Sequence, residues 1–112
     1  MTDSDISNET LDQLRETFLK MVSPEWDLAL MGKPQDVVNK AAMTLLLVQR
    51  GRLRLENAEL AGIRDKLVQN EEDLDKGRVQ LNKALERLDQ VEGVLNAAAS
   101  FLDIIGRVVS LV

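Results

Sequence analysis

The chain contains no cysteine and no histidine. Their absence removes the usual zinc ligands, thiol nucleophiles and imidazole acid–base groups, and any disulfide framework. Aromatic residues are scarce: Phe18, Trp26 and Phe101 are all there are. A chain with so little aromatic bulk suits helices that pair through Leu, Ala and Val seams. Proline does not recur after Pro34, so nothing covalent interrupts a helix in the remainder. The acidic start Met1-Thr2-Asp3-Ser4-Asp5 is followed by no apolar run. A signal peptide is therefore not expected, and a cytoplasmic location is the default.

Chemistry-bearing constellations are missing in the same way. There is no serine beside a base, no glycine-rich phosphate loop and no pair of carboxylates on a buried face. The acidic run Glu71, Glu72, Asp73 and Asp75 lacks the alternating ligands and turn glycine of a calcium loop, and reads as a solvated segment. No enzyme activity, metal, cofactor or small-molecule ligand is expected. The formal net charge of −5 disfavours binding to nucleic acid. Arg50, Arg52 and Arg54 form a local basic cluster, but DNA-reading basic helices are far denser in charge, and Leu45, Leu46, Leu47 and Val48 adjoin this one. A basic face that attracts the acidic middle of another chain is the better reading.

At 112 residues, 45% apolar and 29% charged, the chain is a single folded unit. Its organising feature is a leucine at every seventh position: Leu46, Leu53, Leu60, Leu67, Leu74, Leu81, Leu88, Leu95 and Leu102, continued by Val109. Three residues after each comes a second line that includes Ile63, Gly77, Val91, Ala98, Ile105 and Val112. These are the a and d positions of a heptad, one apolar seam along an α-helix. The seam residues expected to hold a partner helix are Leu60, Ile63, Leu67, Leu81, Leu88, Val91, Leu95, Leu102, Ile105 and Val109.

Residues 1–34 precede this region. Ser7 or Asn8 can cap a short first helix whose apolar face is Leu11, Leu14, Phe18 and Met21. Ser23-Pro24-Glu25 reads as a helix restart, and Gly32 suits a helix end, so residues 23–34 form a helical elbow. Trp26 is either a plug that seals the elbow or part of a docking patch.

Residues 35–112 are expected to be helical throughout, and two architectures fit them. In the first, one continuous helix pairs in parallel with a copy of itself as a coiled coil. The flanking charges agree with this: Glu59 with Arg64, Lys66 with Glu71, Asp73 with Arg78 and Arg87 with Glu92 are all attractive. In the second, the chain doubles back near Asp75-Lys76-Gly77, with Gly77 ending a helix, and the first helix completes a three-helix bundle. Phase and charge favour the first. Asn70 sits at a core position in either, as a register-fixing polar residue or a solvated weak point beside a turn.

Residues 93–112 are apolar on a wider face, because Val94, Phe101 and Val108 add a third line. Asn96, Ser100, Asp103, Arg107 and Ser110 keep to one narrow stripe. The expected function is helical protein–protein association, either self-assembly or adaptor-like binding of another helical protein. Val94, Phe101, Val108 and Trp26 are its possible docking patch. The alternative is a membrane-docking helix in residues 93–112, against which Asp103 and Arg107 weigh.

Overall fold

The computed structural model describes residues 3–111, so Met1, Thr2 and the last heptad position, Val112, lie outside it. Six helices follow one another: α1 (Asp3–Met21), α2 (Pro24–Leu30), α3 (Gln35–Asn57), α4 (Leu60–Gln69), α5 (Glu71–Leu85) and α6 (Val91–Ile105). The all-α expectation holds, as a helical bundle. α1 begins earlier than a cap at Ser7 or Asn8 implies. Its buried line starts at Ile6 and runs through Thr10, Gln13, Leu14 and Thr17 to Met21. The polar members of that line are satisfied within the helix. Thr10 Oγ1 donates to the Ile6 carbonyl at 2.7 Å and Thr17 Oγ1 to the Gln13 carbonyl at 2.8 Å.

The elbow forms as its residues dictate. Ser23 Oγ accepts from the Trp26 amide at 3.3 Å and donates to the Lys20 carbonyl at 2.6 Å, closing one helix and opening the next. Pro24 takes the first helical turn of α2, and Gly32 carries the only positive φ among the described residues, 82°. Trp26 is buried in the core, and Lys33 Nζ reaches Glu92 Oε1 at 3.4 Å, fastening the elbow to the start of α6.

The heptad region is not one helix. A rod from residue 35 to 112 would extend to roughly 115 Å, whereas the longest dimension of the molecule is 45 Å. The region divides into α3, α4, α5 and α6. Ala58 and Glu59 leave the helix in extended conformation, with ψ of 139° and 128°. Asn70 makes the next joint: its side-chain Nδ2 donates at 2.8 Å to the Lys66 carbonyl, which also accepts the Asn70 backbone amide at 3.1 Å, so both donors of one residue close the end of α4. Glu71, Glu72 and Asp73 then occupy the first turn of α5, where carboxylates are favoured by the helix dipole. The acidic run is thus the start of a helix.

The chain does double back, but at residues 86–90 and not at Asp75-Lys76-Gly77. Leu88 is buried and anchors that turn, and Arg87 Nε meets Asp89 Oδ1 across it at 3.3 Å. Gly77 lies inside α5 and is buried for a different reason. A Cβ there would stand 2.9 Å from Phe101 Cδ1 and 3.2 Å from Ile104 Cδ1 of α6. The missing side chain lets the two antiparallel helices approach. It does not end a helix.

α1 occupies the centre of the bundle, packing on α2, α3, α4 and α5, while α6 packs on α5 and α3. Leu14, Leu67, Leu81, Leu95, Phe101 and Ile105 are among the most deeply buried side chains. Charges that a parallel pair of chains would have matched are engaged within this one. Asp73 Oδ2 takes Arg107 Nη1 at 2.9 Å, Arg78 Nη2 lies 3.4 Å from Asp75 and 3.6 Å from Glu9, and Glu92 meets Lys33.

Candidate docking surface

The leucine seam changes sides along the chain. From Ile63 through Leu67, Leu74, Leu81, Leu88, Val91, Leu95, Leu102 and Ile105 the a and d residues are buried, even though joints at Asn70 and residues 86–90 interrupt the helices. Leu60 and Val109 are half-buried against the same core. Val94, Phe101, Val108 and Trp26 are buried too, at 2% exposure or less. These residues are covered by the chain's own helices, so neither the seam nor the expected patch is open to a partner in this state. α6 turns outward the polar stripe Asn96, Ser100 and Asp103, and Arg107 in the turn after it is exposed as well.

α3 behaves differently. Its buried residues are Ala41, Thr44, Val48, Gly51 and Leu55, a three–four series of its own. That series lies almost opposite the leucine ladder at 100° per residue. The inner face is made of small residues so that neighbours can approach. A Cβ on Gly51 would meet Leu111, Ile105 and Leu14 side chains at 3.4–3.6 Å. Thr44 Oγ1 donates to the Lys40 carbonyl at 2.8 Å and leaves no unmet donor inside.

The outer face of α3 carries Met43, Leu46 and Leu53, exposed by 57%, 47% and 46%. Ten residues of helix separate Met43 from Leu53, a strip about 15 Å long. Scattered apolar residues on a surface are ordinary, but an aligned strip on a helix that already buries its other side is an unpartnered face. The charge around it is basic: α3 carries Lys40, Arg50, Arg52 and Arg54 against Asp36 and Glu56. Two of these arginines are held in place. Arg50 Nη1 donates to the Leu111 carbonyl at 2.8 Å; Arg52 sits 5.6 Å from the centre of the Phe18 ring and 3.4 Å from Glu56. Lys40 and Arg54 project into solvent. Sequence reasoning missed this surface because it assigned α3 the same buried phase as the rest. The signal was present in Ala41, Thr44, Val48 and Gly51, a small-residue line parallel to the larger one.

Beside this face, between α3 and α6, lies an open groove of about 580 Å3 lined by Leu47, Leu102 and Leu111 with Arg50, Asp103 and Arg107 on its rim. Arg107 is tied to Asp73 and, at 3.5 Å, to Asp103, so its charge is already matched. Among the described residues, no group of three or more carboxylates is placed to hold a metal ion. No helix among them is long and apolar enough to cross a membrane. No protein-family model matches the chain, and neither does any curated protein or solved structure.

Proposed function

We propose that this chain is a non-enzymatic helical association module, and that it engages its partner through the outer face of α3. The observation that carries the reading is that α3 is apolar on two opposite sides and only one is covered. A helix-in-groove or helix-on-helix contact uses anchors recurring on one face of a helix, as Met43, Leu46 and Leu53 do at steps of three and seven, with Arg50 between the two leucines. The flanking Lys40, Arg50 and Arg54 select an acidic amphipathic helix over a basic one. The leucine ladder from Ile63 onward serves the internal core, which keeps α3 rigid and its outer strip in register.

Titration of isotopically labelled protein with two designed helical peptides tests the proposal. Both carry leucine at a and d; one has glutamate and the other lysine at the flanking positions. Amide shifts clustered at Met43, Leu46, Arg50 and Leu53, and stronger with the glutamate peptide, are the expected result. Silence of these amides toward both peptides overturns it.

A further inference from the structure

The basic apolar face of α3 has a counterpart elsewhere on the same molecule. α2 buries Trp26 and turns the other way Leu28 and Met31, exposed by 68% and 74%. These two side chains are three residues apart, on one side of the elbow, and Glu25 and Asp27 project into solvent beside them. The elbow therefore offers two apolar knobs bordered by negative charge. α3 offers an apolar strip bordered by positive charge. Parallel pairing of like surfaces is repulsive: Arg50, Arg54 and Lys40 would face one another across two α3 helices, and Glu25 and Asp27 across two elbows. The cross-pairing joins apolar to apolar and opposite charge to opposite charge.

We infer that a second copy of this chain is the occupant of the α3 face, docking through the outer side of its α2 elbow. The inference rests on the reading of α3 as a docking face. Leu28 and Met31 of one molecule seat on Met43 and Leu46 of another, with Glu25 and Asp27 toward Lys40 and Arg50. A contact carried by two knobs and exposed ion pairs is modest in strength and falls with salt. It is heterologous, so two molecules can close it reciprocally or a row can extend it.

Sedimentation equilibrium of the full chain at submillimolar concentration reads the mass directly against the 12.5 kDa of one chain. Two double variants complete the test: Leu28→Ser with Met31→Ser, and Met43→Ser with Leu46→Ser. All four side chains are about half exposed or more, so both variants keep the helical circular dichroism of the parent. The expected result is that the parent associates, that each variant alone sediments as a single chain, and that mixing them restores a complex. The mixture succeeds because it unites one intact elbow with one intact α3. Raising the salt should weaken the parent's association by about tenfold. If the elbow variant associates as the parent does while the α3 variant does not, the elbow is not the occupant and the α3 reading survives. A parent that remains a single chain throughout overturns self-docking, and the peptide titration then decides the α3 face independently.

Discussion

Replacing Gly77 by alanine probes the tightest of the chain's glycine contacts, and Gly62 supplies its control. Gly77 lies in the middle of α5 and Gly62 in the first turn of α4, so each substitution gains an intrinsic helix preference of up to about 1 kcal/mol. Around Gly62 a new Cβ meets nothing within 4 Å. Around Gly77 it meets Phe101 Cδ1 at 2.9 Å and Ile104 Cδ1 at 3.2 Å, and Phe101 is itself buried and cannot swing into solvent. Overpacking of this kind costs about 1–3 kcal/mol. Gly62→Ala should therefore stabilise by up to about 1 kcal/mol, and Gly77→Ala should range from neutral to about 2 kcal/mol destabilising. Much of the intrinsic gain cancels in the difference, which leaves the α5–α6 contact as its main part. Thermal unfolding followed by far-ultraviolet circular dichroism should separate the two melting temperatures by about 4–12 °C. Shortening the ring with Phe101→Leu should relieve the clash, giving a coupling energy of about 1 kcal/mol or more in the double-variant cycle. Equal melting of the two alanine variants, or a more stable Gly77→Ala, would refute the packing of α6 across Gly77.

Other substitutions sort by burial. Leu88→Asp places a charge at the buried anchor of the α5–α6 turn and should cost about 3 kcal/mol or more in urea unfolding, whereas Leu46→Ser on the outer face of α3 should stay within about 0.5 kcal/mol. Similar losses in both would mean the buried side of α3 is misassigned. Ser23→Ala removes the cap that joins α1 to α2 and should cost about 1 kcal/mol, with the emission of Trp26 shifting to the red as the elbow loosens; an unchanged spectrum and midpoint would deny the cap. The Glu92 carboxyl is held below the usual glutamate range, first by a hydrogen bond from its own backbone amide and then by Lys33, with desolvation opposing. A depressed folded value contributes stability above the unfolded pKa that is lost as pH falls through the folded one, so its effect is confined to the acid side. An NMR titration should find the Glu92 midpoint low, and Lys33→Met should raise it part of the way; a midpoint at the ordinary value would contradict the geometry at the start of α6.

Much of this architecture was legible in the residues. Ser23, Pro24 and Gly32 specify the elbow through chemistry local to a few positions, and they form the cap, first turn and left-handed residue expected of them. The a and d phase from Ile63 to Ile105 also marks the buried line, because a helix packed in a bundle needs the same stripe as one in a coiled coil. For that reason the stripe cannot distinguish a rod from a bundle. The hairpin alternative put its turn at Gly77 because a glycine that ends a helix and one that admits a neighbouring ring look alike in sequence. Ala58 and Glu59 break the helix with no proline or glycine to announce it. Thr10, Gln13 and Thr17 escaped notice because polar residues count as exposed unless their bonds are known, and all three bond within their own helix, the threonines to carbonyls and Gln13 to Thr17 Oγ1. The α3 surface was hidden by continuity: Leu46 and Leu53 share the phase of the core leucines but stand on the other side of the chain's turn at residues 58–59.

The central place of α1 has a consequence for the order in which the bundle assembles. α5 and α6 are joined by a short turn, so their pairing closes a small loop at little entropic cost and can form early. α1 packs on α3, α4 and α5, all downstream, and its polar contacts reach far along the chain, with Arg15 meeting Glu56 41 residues away. It can dock fully only after those helices have taken shape. Until then Ile6, Leu14 and Met21 face solvent, and so do the grooves they will fill. Docking of α1 is thus the step that makes the fold cooperative. Hydrogen exchange should show its release as the first opening, one that loosens α3 and α4 together while the α5–α6 hairpin persists.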